Sequence, residues 1–227
     1  MEISKVTLKT KELKKMKDFY TETLGMPISK EWKESFQVSV GSSQLKFSSR
    51  NVEGDPYYHF AFNIPSNQFK EAKEWLKGKV ELNYEEGENE ANFPNLPAHS
   101  FYFYDPAENV VEFISRHSIA VAREEPFSQN SFLTISEISL TVDDAIKTGQ
   151  QLIDIGINER DNHSISEASL NFMGDRATGA FILLVKPGRR WIFSEKTAAI
   201  YPIEIEVNMN DQIVVNENHE VIVNSSC

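Results

Sequence analysis

VTLKTKELKKMKDFYTETLG, from Val6 to Gly25, is a short alternating strand that runs into a helix and stops at a glycine. The same plan returns as FAFNIPSNQFKEAKEWLKG, Phe60 to Gly78, and as ISLTVDDAIKTGQQLIDIG, Ile138 to Gly156. A fourth strand, IEIEV from Ile203, starts the same way, but no helix follows it. Self-similarity at a fixed spacing identifies the architecture before any single residue does, and it marks which positions are equivalent.

In the first copy, Val6 and Leu8 alternate with Lys5, Thr7 and Lys9, the period of a half-buried strand. Leu13, Met16, Phe19, Tyr20 and Leu24 then recur at helical spacing. Gly25 is placed to cap that helix in a left-handed conformation, and Pro27 prevents its continuation. Two strands follow, Phe36–Val40 and Gln44–Ser49, joined by Gly41-Ser42-Ser43, a hairpin signal, with a further strand around Ser29–Trp32. The second copy predicts a helix burying Phe69, Ala72, Trp75 and Leu76, with Ser66 as its N-cap. Strands are expected at Val80–Glu86, Ser100–Tyr104 and Val110–Ser115, with a polar loop from Gly87 to Pro97. The third copy ends in Ser169–Gly174 and Ala180–Lys186, and the fourth is a remnant, IEIEVNM followed by QIVVN and EVIVN. The expected organisation is therefore a first half, 1–117, of two units (1–52 and 56–117), a linker over 118–130, and a degenerate second half, 131–227, with a truncated last unit.

Composition narrows the function classes. The chain has 227 residues, 40% hydrophobic and 25% charged, enough for one large core or two smaller ones. A net charge of −11 argues against a surface that tracks nucleic-acid phosphates. The lone Cys227 excludes an intramolecular disulfide framework and a cysteine-based zinc site, which fits a reducing compartment. MEISKVTLKT has no apolar h-region and no stretch approaches 18 apolar residues, so the expectation is a cytoplasmic protein with no membrane partner.

Three segments resemble the vicinal oxygen chelate superfamily, which includes glyoxalase I, bleomycin-resistance proteins and extradiol dioxygenases. FYTETLGMPI (Phe19–Ile28) is similar to the end of the family's first helix, and YHFAFNI (Tyr58–Ile64) to the strand that opens a module with a histidine. DPAENVVEFIS (Asp105–Ser115) is similar to the stretch that closes it. The resemblance implies an α+β protein of paired βαβββ modules whose sheets curl around a cup, the second half partly degenerate. In metal-dependent members the opening and closing strands supply His and Glu ligands inside that cup.

The repeat aligns the candidate site positions. Immediately before Val6, Phe60, Ile138 and Ile203 stand Lys5, His59, Glu137 and Pro202. In the closing strands Lys46 aligns with Glu112, and the third unit offers Leu183. Pairing the first two units would bring Lys5, Lys46, His59 and Glu112 together, with Thr7 and Asn63 on the same cup face. His59 and Glu112 match the family's second-module ligands for Zn, Ni, Mn or Fe. Lysine at the other two positions departs from that pattern, because an ammonium has no lone pair and repels a divalent ion. The leading expectation is therefore a cup without a resident metal, Lys46 pairing with Glu112, that binds a small molecule carrying an anionic group or an aromatic face. The alternatives are a divalent-metal-dependent lyase, isomerase or ring-cleaving dioxygenase using His59 and Glu112, and a desolvated lysine acting as nucleophile or base. Arg189 and Arg190, in the turn PGRRW, are candidates for a basic rim. Either a monomer or a homodimer is compatible with this number of modules.

Overall fold

The computed structural model describes residues 1–225, so Cys227 lies outside the described residues. The first unit contains β1 (Ile3–Lys9), α1 (Leu13–Asp18) extended by a π-helical turn (Phe19–Thr23), then β2 (Ile28–Trp32), β3 (Ser35–Val40) and β4 (Ser43–Ser48). The second contains β5 (His59–Ile64), α2 (Phe69–Leu76), β6 (Ala91–Phe93), β7 (Ala98–Tyr104) and β8 (Val110–Arg116). The third contains β9 (Thr134–Thr141), α3 (Ala145–Asp154), β10 (Asn171–Asp175) and β11 (Ala180–Val185). The fourth is β12 (Ile203–Val207), β13 (Asp211–Val215) and β14 (Val221–Asn224). Among the described residues, no helix is long and apolar enough to cross a membrane.

The repeated glycines end their helices for the reason expected. Gly25, Gly78 and Gly156 all have positive φ, +65°, +78° and +83°, a conformation that costs glycine nothing sterically. After α3 the Ile157 N–H closes the last turn on the Leu152 carbonyl at 2.9 Å. The first unit spans one residue more, Met26 N–H to the Tyr20 carbonyl, because its last turn is the wider π-helical one.

Two local expectations are corrected. Gln68, not Ser66, stands at the start of α2, and no side chain caps that end. Val80–Glu86 forms only isolated bridges, Val80 with Lys77, Leu82 with Phe103 and Glu85 with Glu88, and the edge strand is instead β6, inside the polar loop. The Glu85 side chain receives Arg190 and the Phe193 N–H.

The strands form one curled 14-stranded sheet in which the units pair differently from the expected order. Antiparallel β5 and β9 join the second unit to the third, with Phe60 opposite Ile138 and Ala61 opposite Glu137. Antiparallel β1 and β12 join the first unit to the fourth, with Val6 opposite Ile205. The two pairs of units meet through β1 and β9 at Ile3 and Ile135. Alternation specifies which face of each strand is buried, but not which opening strand it will hydrogen-bond, so the sequence left this choice unspecified. Helices cover the face carrying Val6, Leu8, Phe60, Phe62, Phe113, Ile138 and Leu140, all fully buried or nearly so. Side chains of opposite parity point to the concave side.

The DPAEN turn explains part of the sequence resemblance. The buried Asp105 carboxylate accepts hydrogen bonds from Tyr20 Oη (2.8 Å), Ala107 N (3.0 Å), Asn109 N (3.1 Å) and Asn109 Nδ2 (2.7 Å). Asn109 Oδ1 in turn accepts from Tyr58 N at 2.8 Å. One carboxylate thus fastens the helix of the first unit to the β7–β8 turn and the start of β5. Asp105→Ala strands these donors, and the expected loss is about 3 kcal/mol in urea denaturation. A loss below about 1 kcal/mol would show that the network is not structural.

Candidate functional site

Register builds the floor of the cup. The central strand β5 has β8 on one side and β9 on the other, and Ala61 is the paired neighbour of both Glu112 and Glu137. A methyl side chain there leaves room for two carboxylates to converge. His59 projects from the same face two residues earlier. The outcome is a buried group in which an imidazole nitrogen and one oxygen from each carboxylate all lie within 4.8 Å of one another. His59 Nε2 is 3.6 Å from Glu112 Oε2.

The imidazole is oriented as a ligand needs. Nδ1 lies 2.9 Å from the Val110 carbonyl, which accepts only if Nδ1 carries the hydrogen. That assignment leaves the Nε2 lone pair facing the carboxylates. Burial pushes the His59 pKa below its usual value, so the ring is neutral at pH 7. Burial, reinforced by the Glu137 carboxylate, pushes Glu112 up to about 8. Glu112 Oε1 is buried with no hydrogen-bond partner among the described residues. The Arg116 guanidinium forms an ion pair with Glu137 through Nη2.

Above this floor opens a cavity of about 460 Å³. Its walls include Phe93, Tyr102, Leu170, Phe172 and Trp191, and Arg160, Arg189 and Arg190 stand around it. Trp191 packs on His59 with ring centroids 4.8 Å apart, and Phe193 stacks on Tyr102 at 5.0 Å and 8°. Arg190 is occupied by Glu85 and the Ser194 carbonyl, and Arg160 lies 3.9 Å over the Phe172 ring, whereas Arg189 is exposed in its turn. The cup therefore has a polar, carboxylate-bearing floor, aromatic walls and a basic rim. A larger and more open groove of about 650 Å³ runs past Phe19, Leu82, Tyr84 and Tyr104, but among the described residues no such group of ligating side chains converges there. A second set of ligand-type residues, Glu159, Asp161 and His163, has only Glu159 buried, and its Asp161 is already held by Arg160 and Arg176.

Of the residues singled out in the sequence, the structure brings His59 and Glu112 together. Asn63 lies further along the same face of β5, buried, its Oδ1 without a partner among the described residues. The others belong to the first unit and sit elsewhere. Lys5 pairs with Glu206 at 2.7 Å, and Lys46 lies 4.8 Å from the Trp32 ring centre. Thr7 sits on β1 between Lys46 and Glu204. The expected Lys46–Glu112 contact is not made, because β1 and β4 pair away from β5 and β8. Glu137 occupies the place in β9 that His59 holds in β5. Leu183 corresponds to Glu112, since it stands opposite Ser139 as Glu112 stands opposite Ala61. The repeat had already aligned Glu137 with His59; pairing the wrong units put it in another cup. Arg116 could have been found by stepping two and four residues along β8 from Glu112.

This is the vicinal oxygen chelate fold. A dioxygenase-type protein of Bacillus subtilis superposes on 81% of this chain and 63% of its own, at a TM-score of 0.57 and 14% identity. A lactoylglutathione lyase from Agrobacterium tumefaciens matches 49% of this chain and 91% of its own (TM-score 0.41, 20% identity). A glyoxalase/bleomycin resistance protein/dioxygenase from Nocardioides matches 55% and 89% (TM-score 0.42, 18% identity). In sequence, the model of the toxoflavin-degrading enzyme family matches residues 135–189, a stretch that contains Glu137, Leu183 and Arg189. No curated protein matches the chain.

Proposed function

We propose that the chain is an enzyme that holds a divalent ion through His59, Glu112 and Glu137 and acts on a small anionic or aromatic molecule bound above them. The convergence of one oriented imidazole and two carboxylates on a buried floor carries this reading. The donor set fits the group. Nitrogen and carboxylate oxygen suit Zn, Ni, Mn or Fe, and three protein ligands leave positions open. The unpartnered Glu112 Oε1 supports the same conclusion. When bound, such an ion polarises a substrate oxygen and stabilises charge that develops on it.

The chain's own residues supply the rest. Val110 fixes the His59 ring, the aromatic walls exclude water, and the arginines at the mouth favour an anionic partner. Lys5 and Lys46 lie beside Glu206 and Trp32, away from this floor, and so do not oppose an ion there. The match to a family named for degrading a compound covers the third unit, which contributes Glu137, and favours an enzyme over a sequestering protein. A metal-free binding protein is the second reading, favoured by the Arg116 guanidinium that already neutralises Glu137.

Titration of chelator-stripped protein with Mn²⁺ and Zn²⁺ separates the two. The expected outcome is one ion per chain, with affinity reduced at least about 100-fold in His59→Ala. Absence of binding by every ion tested would leave the metal-free reading standing.

A further inference from the structure

The floor of the cup already contains a cation, and its fastening is incomplete. Arg116 ends β8 and is 2% exposed. A guanidinium carries five N–H donors, and burying it is costly unless they are satisfied. Nη2 binds Glu137, the Phe181 ring centre lies 5.2 Å from the guanidinium carbon, and Nε is buried without a partner among the described residues. The side chain runs past Gly179, where at φ +66° a Cβ would stand 2.7 Å from Arg116 Cδ. The arginine thus has space made for it, while its guanidinium has only Glu137 as an ionic partner.

Glu137 is claimed twice. It is the anchor of Arg116, and it is one of the three donors that converge with His59 and Glu112. A guanidinium and a divalent ion drawn to one carboxylate in a secluded cup repel each other strongly. Resting on the metal-dependent reading above, the geometry points to Arg116 as a resident counter-cation that yields Glu137 when a divalent ion binds and then serves as the anchor for an anionic ligand. Arg116 lines the cavity with Arg160 and Arg189, and a guanidinium freed from Glu137 offers paired N–H donors to a planar oxyanion. Ion and anionic ligand then bind cooperatively, and by linkage each tightens the other by the same factor.

The sign of one measurement separates this from a plain supporting role. Chelator-stripped full-length protein is titrated with Mn²⁺, with and without saturating benzoate as a flat carboxylate probe, in the wild type and in Arg116→Gln. The expected result is that Arg116→Gln binds Mn²⁺ about ten-fold more tightly, and that benzoate tightens Mn²⁺ at least about five-fold in the wild type only. Mn²⁺ binding weakened about 10- to 100-fold in Arg116→Gln is what a residue that merely holds Glu137 in place would give, and it overturns the inference. Equal Mn²⁺ affinity in the two proteins, or benzoate and Mn²⁺ binding independently in the wild type, overturns it as well and leaves the metal site intact. If neither protein binds Mn²⁺ or, in the same titration, Zn²⁺, the metal-dependent reading itself fails and this one falls with it. The benzoate arm needs no variant, so misfolding of Arg116→Gln would not protect the inference.

Discussion

Glu112→Gln is expected to abolish divalent-ion binding and, in the absence of any ion, to make the protein more stable at pH 8. The first effect follows from removing one of three donors, and a loss of at least about 100-fold in affinity is expected. The second follows from the buried carboxyl. Its folded-state pKa is raised to about 8, above the ordinary value for an unfolded chain, so between about pH 4.3 and 8 the folded protein holds a proton that the unfolded chain has released. Stability therefore falls as pH rises through that window and levels off above it. The loss is on the order of a few kcal/mol at most. Two neighbours act below this range. Asp105, raised to about 6, works in the same direction at lower pH. His59, lowered by burial, costs stability as pH falls through its ordinary range near 6.5. Melting curves in chelator between about pH 6.5 and 8.5 isolate Glu112. The wild type should lose melting temperature across that range and Glu112→Gln should not. Parallel curves for the two proteins would refute the assignment.

The second large effect is steric. Gly41, in the β3–β4 turn, has φ +57°, and a Cβ built there would lie 1.9 Å from the Leu133 carbonyl oxygen and 2.6 Å from that of Phe132. Both obstacles are backbone. The Leu133 carbonyl also accepts from Ser42 N at 3.0 Å, and Leu133 N donates to the Asn63 carbonyl at 2.9 Å. The turn of the first unit thus abuts the chain just before β9, close to where the two pairs of units meet. Alanine must move that chain or the turn, and the expected cost is at least about 4 kcal/mol, read from a denaturation midpoint. Gly78→Ala is the control. It shares the positive φ, +78°, but a Cβ there has no neighbour within 4 Å, so about 1 kcal/mol is expected. Equal losses at the two glycines would show that the close approach carries no energy.

Much of the architecture was legible because local physics specifies it. Val6 with Leu8, Phe60 with Phe62 and Ile138 with Leu140 announce their strands by alternation, and Gly25, Gly78 and Gly156 end helices by a conformation that glycine alone adopts freely. The Val80–Glu86 segment misled for a related reason. Its alternation is real, but its backbone pairs only in isolated bridges, while the Glu85 side chain reaches Arg190 and the Phe193 N–H more than 100 residues away in sequence. His59 and Glu112 were identified because they stand at equivalent places in a repeated strand frame. Lys5 and Lys46 stand in the same frame yet end up beside Glu206 and Trp32. Strand parity puts Arg116 on the same face of β8 as Glu112, but nothing local distinguishes an arginine that ends a strand at the surface from one buried over a ring.

The sequence by itself determined the strands and helices, their order, the faces they bury and the positions from which candidate site residues are drawn. Only the tertiary structure decided which units face each other. Every opening strand presents the same backbone donors and acceptors to a neighbour, so β5 could in principle have joined β1, β9 or β12. Pairing β5 with β9 set Ala61 between Glu112 and Glu137 and turned two candidate ligands into three. The same pairing separated the lysines of the first unit from that floor and placed Arg116 against Glu137 instead.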